Sequence, residues 1–268
     1  MRLRPISALA CAAALVAVAA AHADSKSDAL LAKARESLKK AKSLTGDLQI
    51  NINSDGEKQE LTGTVQLLKP NLGKLTLKTP EGSQSFQSTG KEVYITLDSQ
   101  KQYLKQPADE KGGMIGSAAG PIGAAFFNPD SLGAGGETKH LGTQKVGAKS
   151  YEVVQVSGAG GQTQKLFFTA AGVPEGAEMT FGNGEQKLTQ RIWIKNLKLD
   201  APLTAQQFAF KVPAGFEEFK QPDFEDSLLK VGSKAPSFQL PTPDGQQLSL
   251  EQALQGKKAV VINFWFYG

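Results

Sequence analysis

Cysteine and histidine carry most redox, metal and nucleophilic chemistry, and this sequence of 268 residues has few of them. Cys11 is the single cysteine, and the two histidines are His22 and His140. Cys11 and His22 lie in a segment that we expect to be removed, which leaves no thiol for a disulfide, a metal thiolate or a nucleophile. One histidine cannot form a metal set, and any Ser-His-Asp triad would depend on His140 alone. His140 sits in a polar run, which favours a solvated loop histidine, so we predict no catalytic residue, metal or cofactor.

The first 23 residues are organised as a secretory signal peptide. Arg2 and Arg4 supply positive charge, residues 6–21 are small and apolar, and Ala21-His22-Ala23 is a small-x-small cleavage pattern. The apolar run is shorter than the roughly 20 residues that a membrane-spanning helix needs. We therefore predict export to the periplasm and cleavage after Ala23. A membrane anchor and lipidation at Cys11 are the alternatives.

The chain without this segment is nearly neutral. Lys and Arg number 30 against 26 Asp and Glu, and without Arg2 and Arg4 the net charge falls from +4 to about +2. Arg35 and Arg191 are then the remaining arginines, and the lysines are scattered. Because guanidinium forks and a basic stripe are missing, we predict no nucleic-acid partner.

One helix and then many strands are expected to position any site. Apolar residues at spacings of three and four predict a helix from Ser27 to Leu44, closed by Gly46. From residue 47 to about 105 the apolar residues alternate with polar ones, and turn sequences separate the runs. Alternation gives the sheet one apolar face, which must be covered by curling, by the helix or by a ligand. We take six residues of that face as candidate ligand contacts: Val65, Leu67, Leu75, Leu77, Val93 and Ile95.

A glycine- and alanine-rich segment, residues 112–136, interrupts the strands. Its adjacent Phe126 and Phe127 would be costly to leave in water. We predict a weak helix over residues 122–127 that covers the apolar face as a mobile lid, and we add both phenylalanines to the candidate site. A plain Gly/Ala linker is the alternative. Strands are expected to resume at residues 151–156, 164–169, 177–181 and 186–199, the last with a bend or a bulge near Lys195-Asn196.

Several runs resemble the outer-membrane lipoprotein carrier (LolA-like) superfamily. They are Leu61-Thr62-Gly63-Thr64-Val65, Leu68-Lys69-Pro70-Asn71, Ser88-Thr89-Gly90-Lys91-Glu92-Val93-Tyr94, Lys101-Gln102-Tyr103 and Ala209-Phe210-Lys211-Val212-Pro213-Ala214-Gly215. The resemblance implies an incomplete β-barrel with a helical lid that shields a lipid or lipoprotein acyl chain in the periplasm. No ligand residue carries over, because no unique ligand motif matches. A β domain with a filled core and no ligand is the alternative.

The last 38 residues, 231–268, resemble the start of a redoxin domain of the thioredoxin-like proteins (AhpC/TSA and TlpA types). The resemblance rests on Ala235-Pro236-Ser237-Phe238-Gln239-Leu240, Asp244-Gly245 and Val260-Val261-Ile262-Asn263-Phe264-Trp265. It implies a thiol-disulfide oxidoreductase or antioxidant with a redox partner protein, whose cysteines would follow Gly268. We expect residues 259–265 to have strand character, and this fragment to be unstructured, to lean on the β domain or to aggregate.

The sequence thus predicts an α+β protein in four parts. Residues 1–23 are the signal peptide, 24–216 a curved antiparallel β half-barrel with a helical lid, 217–230 a linker, and 231–268 an incomplete thioredoxin-like α/β domain. Three functions compete. They are an exported oxidoreductase with a carrier-like domain, a periplasmic binder or carrier of an acyl chain without enzymatic activity, and a structural or sensory domain that meets a protein partner through the Phe126-Phe127 loop.

Overall fold

A computed structural model describes residues 24–54, 56–80, 82–158, 162–182, 188–220, 228–242 and 244–261. The chain divides into two compact units, Met1–Phe219 and Lys220–Gly268. The division falls within the segment that the sequence analysis treats as a linker. The predicted signal peptide lies outside the described residues.

The first unit is built on one mostly antiparallel, open and curved 12-stranded sheet. Six strands precede the helical segment: β1 Ser43–Ser54, β2 Glu57–Leu68, β3 Leu72–Thr79, β4 Gly82–Thr89, β5 Glu92–Leu97 and β6 Gln102–Pro107. Six follow it: β7 Glu137–Val146, β8 Lys149–Ser157, β9 Thr163–Phe168, β10 Pro174–Phe181, β11 Leu188–Leu199 and β12 Glu217–Glu218. Their spatial order is β12-β6-β5-β4-β3-β2-β1-β11-β10-β9-β8-β7, so β1 and β11 join the two halves at the centre. The predicted meander and the predicted curved, open sheet are confirmed. The predicted α+β class holds only in part, because the described residues are mostly β with few helices.

The two faces of this sheet differ because side chains alternate along each strand. One face, here called the inner face, carries Leu48, Val65, Leu75 and Ile194, and the helices pack against it. The other, the outer face, carries the polar partners of each strand and a small separate cluster around Trp193. The main core therefore lies between the inner face and the helices.

Helix α1, Ser25–Lys40, lies on the inner face through Leu31, Ala34 and Leu38. It begins two residues earlier than predicted because the Asp24 side chain, rather than Ser27, accepts a hydrogen bond from the Lys26 backbone N–H at 3.1 Å. It ends at Lys40 rather than Leu44. Leu44 already belongs to β1, where its side chain is fully buried.

The glycine-rich segment forms two short helices, α2 Gly113–Ala118 and α3 Gly120–Phe127. A 3-10 turn follows over Pro129–Ser131. The predicted helix over residues 122–127 is confirmed, and the linker alternative is wrong because Ile115, Ile122 and Phe126 are buried in the core. The mobility of this cover stays a prediction.

The predicted irregularity in the long last strand is confirmed, and it is a bulge. The register between β1 and β11 shifts between Thr45/Asp47, where Thr45 faces Lys198 and Asp47 faces Lys195. Asn196 occupies the bulge with a left-handed φ of 52°. Asn196 tolerates this conformation better than most residues do.

After β11 the chain crosses the outer face of β3 and β4. A 3-10 turn, Ala205–Phe208, buries Phe208 there, and the backbone oxygen of Phe208 accepts a hydrogen bond from Gln87 Nε2 at 3.1 Å. Phe210 stacks on Tyr94 with 3.8 Å between ring centroids. The short strand β12 then pairs in parallel with β6, which is otherwise the edge of the sheet. We call residues 201–219 the strap.

Strands β4 and β7 are among those that the sequence analysis did not predict. β4 has the polar sequence GSQSFQST, in which Phe86 is the single large apolar side chain. β7 includes the run that was interpreted as a loop, so the interpretation of His140 as a solvated loop histidine is wrong. The His140 side chain is only 12% exposed, because it packs beside Glu152 on the neighbouring strand.

The second unit contains little regular structure among its described residues. Strands β13 Gln239–Pro241 and β14 Gln247–Ser249 form an antiparallel hairpin, and helix α4, Leu250–Leu254, follows with Ser249 as its N-cap. These elements do not by themselves identify a thioredoxin-like fold. The predicted strand at 259–265 falls largely outside the described residues. Nowhere in the described parts of either unit is a helix sufficiently long and apolar to cross a membrane.

Candidate apolar ligand site

The structure brings most of the candidate ligand residues into one cluster. Val65, Leu67, Leu75, Leu77 and Phe126 are buried in the main core, and Phe127 packs against it. The remaining two belong to β5, at the side of the cluster. Strand register places Val93 opposite Ser88 and Ile95 opposite Phe86, so both lie on the inner face. All six strand candidates therefore share one face of the sheet, while their role in ligand binding stays a prediction.

Helices α2 and α3 cover this face closely because small residues permit it. A Cβ atom placed on Gly73 of β3 would lie 2.4 Å from Cγ1 of Ile115 in α2. Any side chain at Gly73 would therefore lift α2 from the sheet. Glycine and alanine give these two helices low intrinsic stability, so their contact with the inner face holds them in place.

Asp109 anchors the start of α2. Its carboxylate accepts hydrogen bonds from the backbone N–H groups of Gly113 at 2.7 Å, Met114 at 3.1 Å and Lys111 at 3.0 Å. These bonds, that from Gly113 first, lower the pKa of the Asp109 carboxyl group. Asp109 is also tied to the sheet, because its backbone oxygen accepts a hydrogen bond from the Asn71 side chain at 3.2 Å.

Lys69 connects the cover to α1. Its ammonium donates hydrogen bonds to the backbone oxygens of Leu38 at 2.6 Å and Lys39 at 3.0 Å, at the C-terminal end of α1. The same Nζ lies 4.9 Å from the ring centroid of Phe126 in α3. Burial lowers the pKa of this ammonium. A cation at this position suits both the helix C-terminus and the aromatic ring.

The cover is incomplete toward one end of the sheet, which we call the mouth. It is the end that carries the β1–β2 and β8–β9 turns. Here the inner-face side chains of Ile52, Leu61, Phe86 and Met179 pack against the core but are only partly buried. Near Met179 there is a cavity of about 200 Å³. Its lining is Ala134, Gly135, Val156, Gly158, Gln162, Thr163, Gln164, Met179 and Phe181.

A larger concavity of about 500 Å³ opens where the bulge separates β1 from β11. Thr45, Asp47 and Lys198 contribute to its lining from the outer face. Asp47 is already occupied, because its carboxylate accepts a hydrogen bond from the Asn196 side-chain amide at 2.7 Å. The lining is mostly polar, and Val65 is the candidate ligand residue that also contributes to it.

A polar cluster joins the start of α1 to β7 and β8. Glu152 accepts hydrogen bonds from Thr143 Oγ1 at 2.5 Å, contacts His140 Nε2 at 2.6 Å and lies 3.2 Å from Lys26 Nζ. These contacts, with the Thr143 hydrogen bond first, lower the pKa of Glu152 to about 2. Asp24 completes the connection by accepting the His140 backbone N–H at 2.5 Å. Among the described residues no group of three or more His, Cys, Asp or Glu is arranged to hold a metal ion.

Sequence reasoning missed the contribution of the second half of the sheet. The core residues from that half are Val154, Val156, Leu166, Phe168, Ala177, Ile192 and Ile194. The period-two spacing of Val154 with Val156 and of Ile192 with Ile194 could have indicated them. What the spacing could not show is that β11 pairs with β1, which places both halves around the same lid.

Neither a family model nor a curated protein matches the chain, whereas several solved structures align with it. A LolA superfamily protein from Nitrosomonas europaea aligns at TM-score 0.36 and 12% identity, covering 69% of this chain and 97% of that one. Lipoprotein LppX of Mycobacterium tuberculosis aligns at 0.43 and 11%, covering 66% and 98%. MucB aligns at TM-score 0.44 and 16% identity, covering 84% of this chain and 90% of its own. These scores are too low to carry an argument about function.

Proposed function

We propose that the protein is an extracytoplasmic binder or carrier of an acyl chain, which lies on the inner face of the sheet beneath α2 and α3. The observation that carries this proposal is the continuity of the apolar surface. It runs from side chains buried under the lid, such as Leu75, to the partly buried Ile52, Leu61 and Met179 at the mouth. A surface of this kind is a typical binding groove for an apolar ligand.

The lid would have to move for a chain to enter. Ile115, Ile122 and Phe126 fill the space that a bound chain would occupy, since all three are 1% exposed or less. The contacts that hold α2 and α3 are few and identifiable, namely Asp109, Lys69 and the close approach at Gly73. Release of the helices would expose the candidate residues Val65, Leu67, Leu75 and Leu77 to the ligand. The export that the N-terminal sequence predicts is consistent with this role.

A fluorescent acyl probe tests the proposal. We expect saturable uptake of the probe by the purified protein, weakened at least fivefold by Met179→Gln. The control is Thr180→Gln, because the adjacent Thr180 lies on the outer face, opposite Thr189 and Thr163. Saturable binding that neither substitution weakens would place the probe elsewhere, and absence of binding would refute the proposal.

A protein partner that docks on the Phe126-Phe127 loop has less support. Phe126 has 0% exposure, and its ring contacts Phe127 at 5.0 Å between centroids. Phe126 therefore belongs to the core, and the partly buried Phe127 packs against it.

The oxidoreductase function rests on the resemblance of residues 231–268 alone. Cys11 is the single cysteine of the sequence, so thiol chemistry in this unit would need cysteines encoded after Gly268. Sequencing of the gene past that codon tests this function. A Cys-x-x-Cys motif in frame would support it, and a stop codon would remove it.

A further inference from the structure

Charged side chains of the sheet lie mainly on its outer face, and this distribution bears on the class of ligand. On β3, the side chains of Lys74 and Lys78 point to the outer face, while Leu75 and Leu77 point inward. On the outer face, Glu178 also forms ion pairs with both Lys165 and Arg191. Glu178 lies between the two cations, within 2.9 Å of Lys165 Nζ.

The charged side chains that register places on the inner face of the described strands are peripheral. Glu57 begins β2 at an exposed hairpin tip. Lys145 lies near the β7–β8 turn, at the end of the sheet opposite the mouth. Glu152 is engaged by Thr143, His140 and Lys26. Glu217 is an exposed residue of the edge strand β12, opposite Gln102. None of the four is among the described residues that line the cavity near Met179.

Glutamines take the polar positions at the mouth instead. Gln190 lies between Ile52 and Met179 in register, and Gln164 lies between Met179 and Val156. On the other half of the sheet, Gln84 lies between Leu77 and Leu97. All three are partly buried. Within the described residues their side-chain amides take part in no hydrogen bond to protein.

This arrangement selects ligands by the charge of their polar end. A side-chain amide donates and accepts hydrogen bonds, so it satisfies an ester, an amide or a hydroxyl group. A carboxylate or phosphate placed among these residues would lose water without gaining a cation, which is costly. Among the described residues, the cavity lining contains Gln162, Gln164 and Thr163 and no charged side chain, so it offers the same chemistry.

We infer that the site takes an acyl chain whose polar end is uncharged, such as a glyceride ester, and discriminates against fatty acids and phospholipids. The inference rests on the proposed function and names its ligand class. An uncharged glyceryl ester occurs both in free glycerides and in the lipid modification of a lipoprotein.

The test compares ligands that have the same acyl chain and different polar ends. Binding of 1-oleoylglycerol, oleate and 1-oleoyl lysophosphatidate to the purified full chain is measured at pH 8 by displacement of a neutral fluorescent acyl probe, below the aggregation concentration of each lipid. We expect the glyceride to bind at least tenfold more tightly than either anion. An N-acetylated diacylglyceryl-cysteine peptide amide, which carries no terminal charge, is tested beside it to distinguish the two sources. Tight binding of either neutral ligand supports the inference.

A second experiment adds a positive charge at the mouth. Gln190→Lys should tighten oleate binding and reduce the preference for the glyceride to threefold or less. The matched control Gln66→Lys adds the same charge on the outer face, opposite Lys74, and should leave the preference unchanged. Equal or tighter binding of the anions by the unmodified protein would overturn the inference and leave the proposed function standing. Failure of every ligand and of the probe to bind would overturn both.

Discussion

The ammonium of Lys69 lies 4.9 Å from the ring centroid of Phe126 while it donates hydrogen bonds to the last carbonyl groups of α1. One side chain from the β2–β3 turn thus contacts both α1 and the lid helix α3. Release of α3 from the sheet, by heat or by a ligand, would therefore break contacts of this residue. The position of Lys69 makes the stability of the lid measurable by substitution.

Lys69→Met should loosen α3. It keeps the length of the side chain but removes two hydrogen bonds and the cation–aromatic contact, at a cost of about 1–2 kcal/mol. The substitution should accelerate backbone amide hydrogen exchange more in α3 than in the middle of α1. Lys40→Met is the control, since Lys40 is exposed and, among the described residues, pairs with Glu36 of its own helix alone. Equal exchange in α3 for both variants would show that Lys69 does not hold the lid.

Gly73→Ala should displace α2. The added Cβ atom would lie too close to Ile115, and the shift that accommodates it costs about 1–3 kcal/mol of stability. Because the lid is then less tightly seated, we expect faster uptake of an acyl probe together with lower stability to urea. Lys74→Ala, one residue along on the outer face, should change neither quantity appreciably. Slower uptake by the Gly73 variant would contradict a lid that must lift.

Loss of Phe208 should destabilise the first unit by about 3 kcal/mol, because a fully buried ring is removed from between the strap and β4. Urea unfolding of Phe208→Ala measures this change. Val212→Ala on the same strap serves for comparison, since Val212 is 51% exposed and should contribute less than about 0.5 kcal/mol. Similar losses for both variants would mean that Phe208 does not fasten the strap.

Acid should weaken the attachment of α1 through Glu152. The pKa of Glu152 is about 2 in the folded protein, below its ordinary value of 4.5, so ionised Glu152 stabilises the fold above pH 4.5. This contribution is lost as the pH falls toward 2. At pH 7 the free energy of unfolding of the unmodified protein should exceed that of Glu152→Gln by about 1 kcal/mol, an amount reduced by solvent screening. Near pH 2 the two free energies should be equal. Urea titrations across this range measure the difference, and a pH-independent difference would contradict it.

The side chains of the inner face could largely be predicted from the sequence, whereas the strands and helices that complete and cover this face could not. Alternation in β1, β2, β3 and β5 is strong enough to assign Val65, Leu75 and Ile95 to one face. β4 lacks that alternation, and its strand character comes from pairing with neighbours on both sides.

Long-range contacts also explain the other differences. The polar run around His140 becomes a strand because Glu152 and α1 lie beside it, which no local pattern records. The lid helices have weak propensity, and burial of Ile115, Ile122 and Phe126 decides their structure.

The most direct measurement of the central claim is photo-crosslinking with a diazirine-bearing monoacylglycerol, followed by mapping of the labelled peptides. The account predicts that label concentrates on inner-face residues of the mouth and lid, including Ile52, Met179 and Ile122, and that excess unlabelled glyceride removes it. Label confined to outer-face positions such as Tyr94 or Trp193, or label that competitor does not displace, would contradict the account.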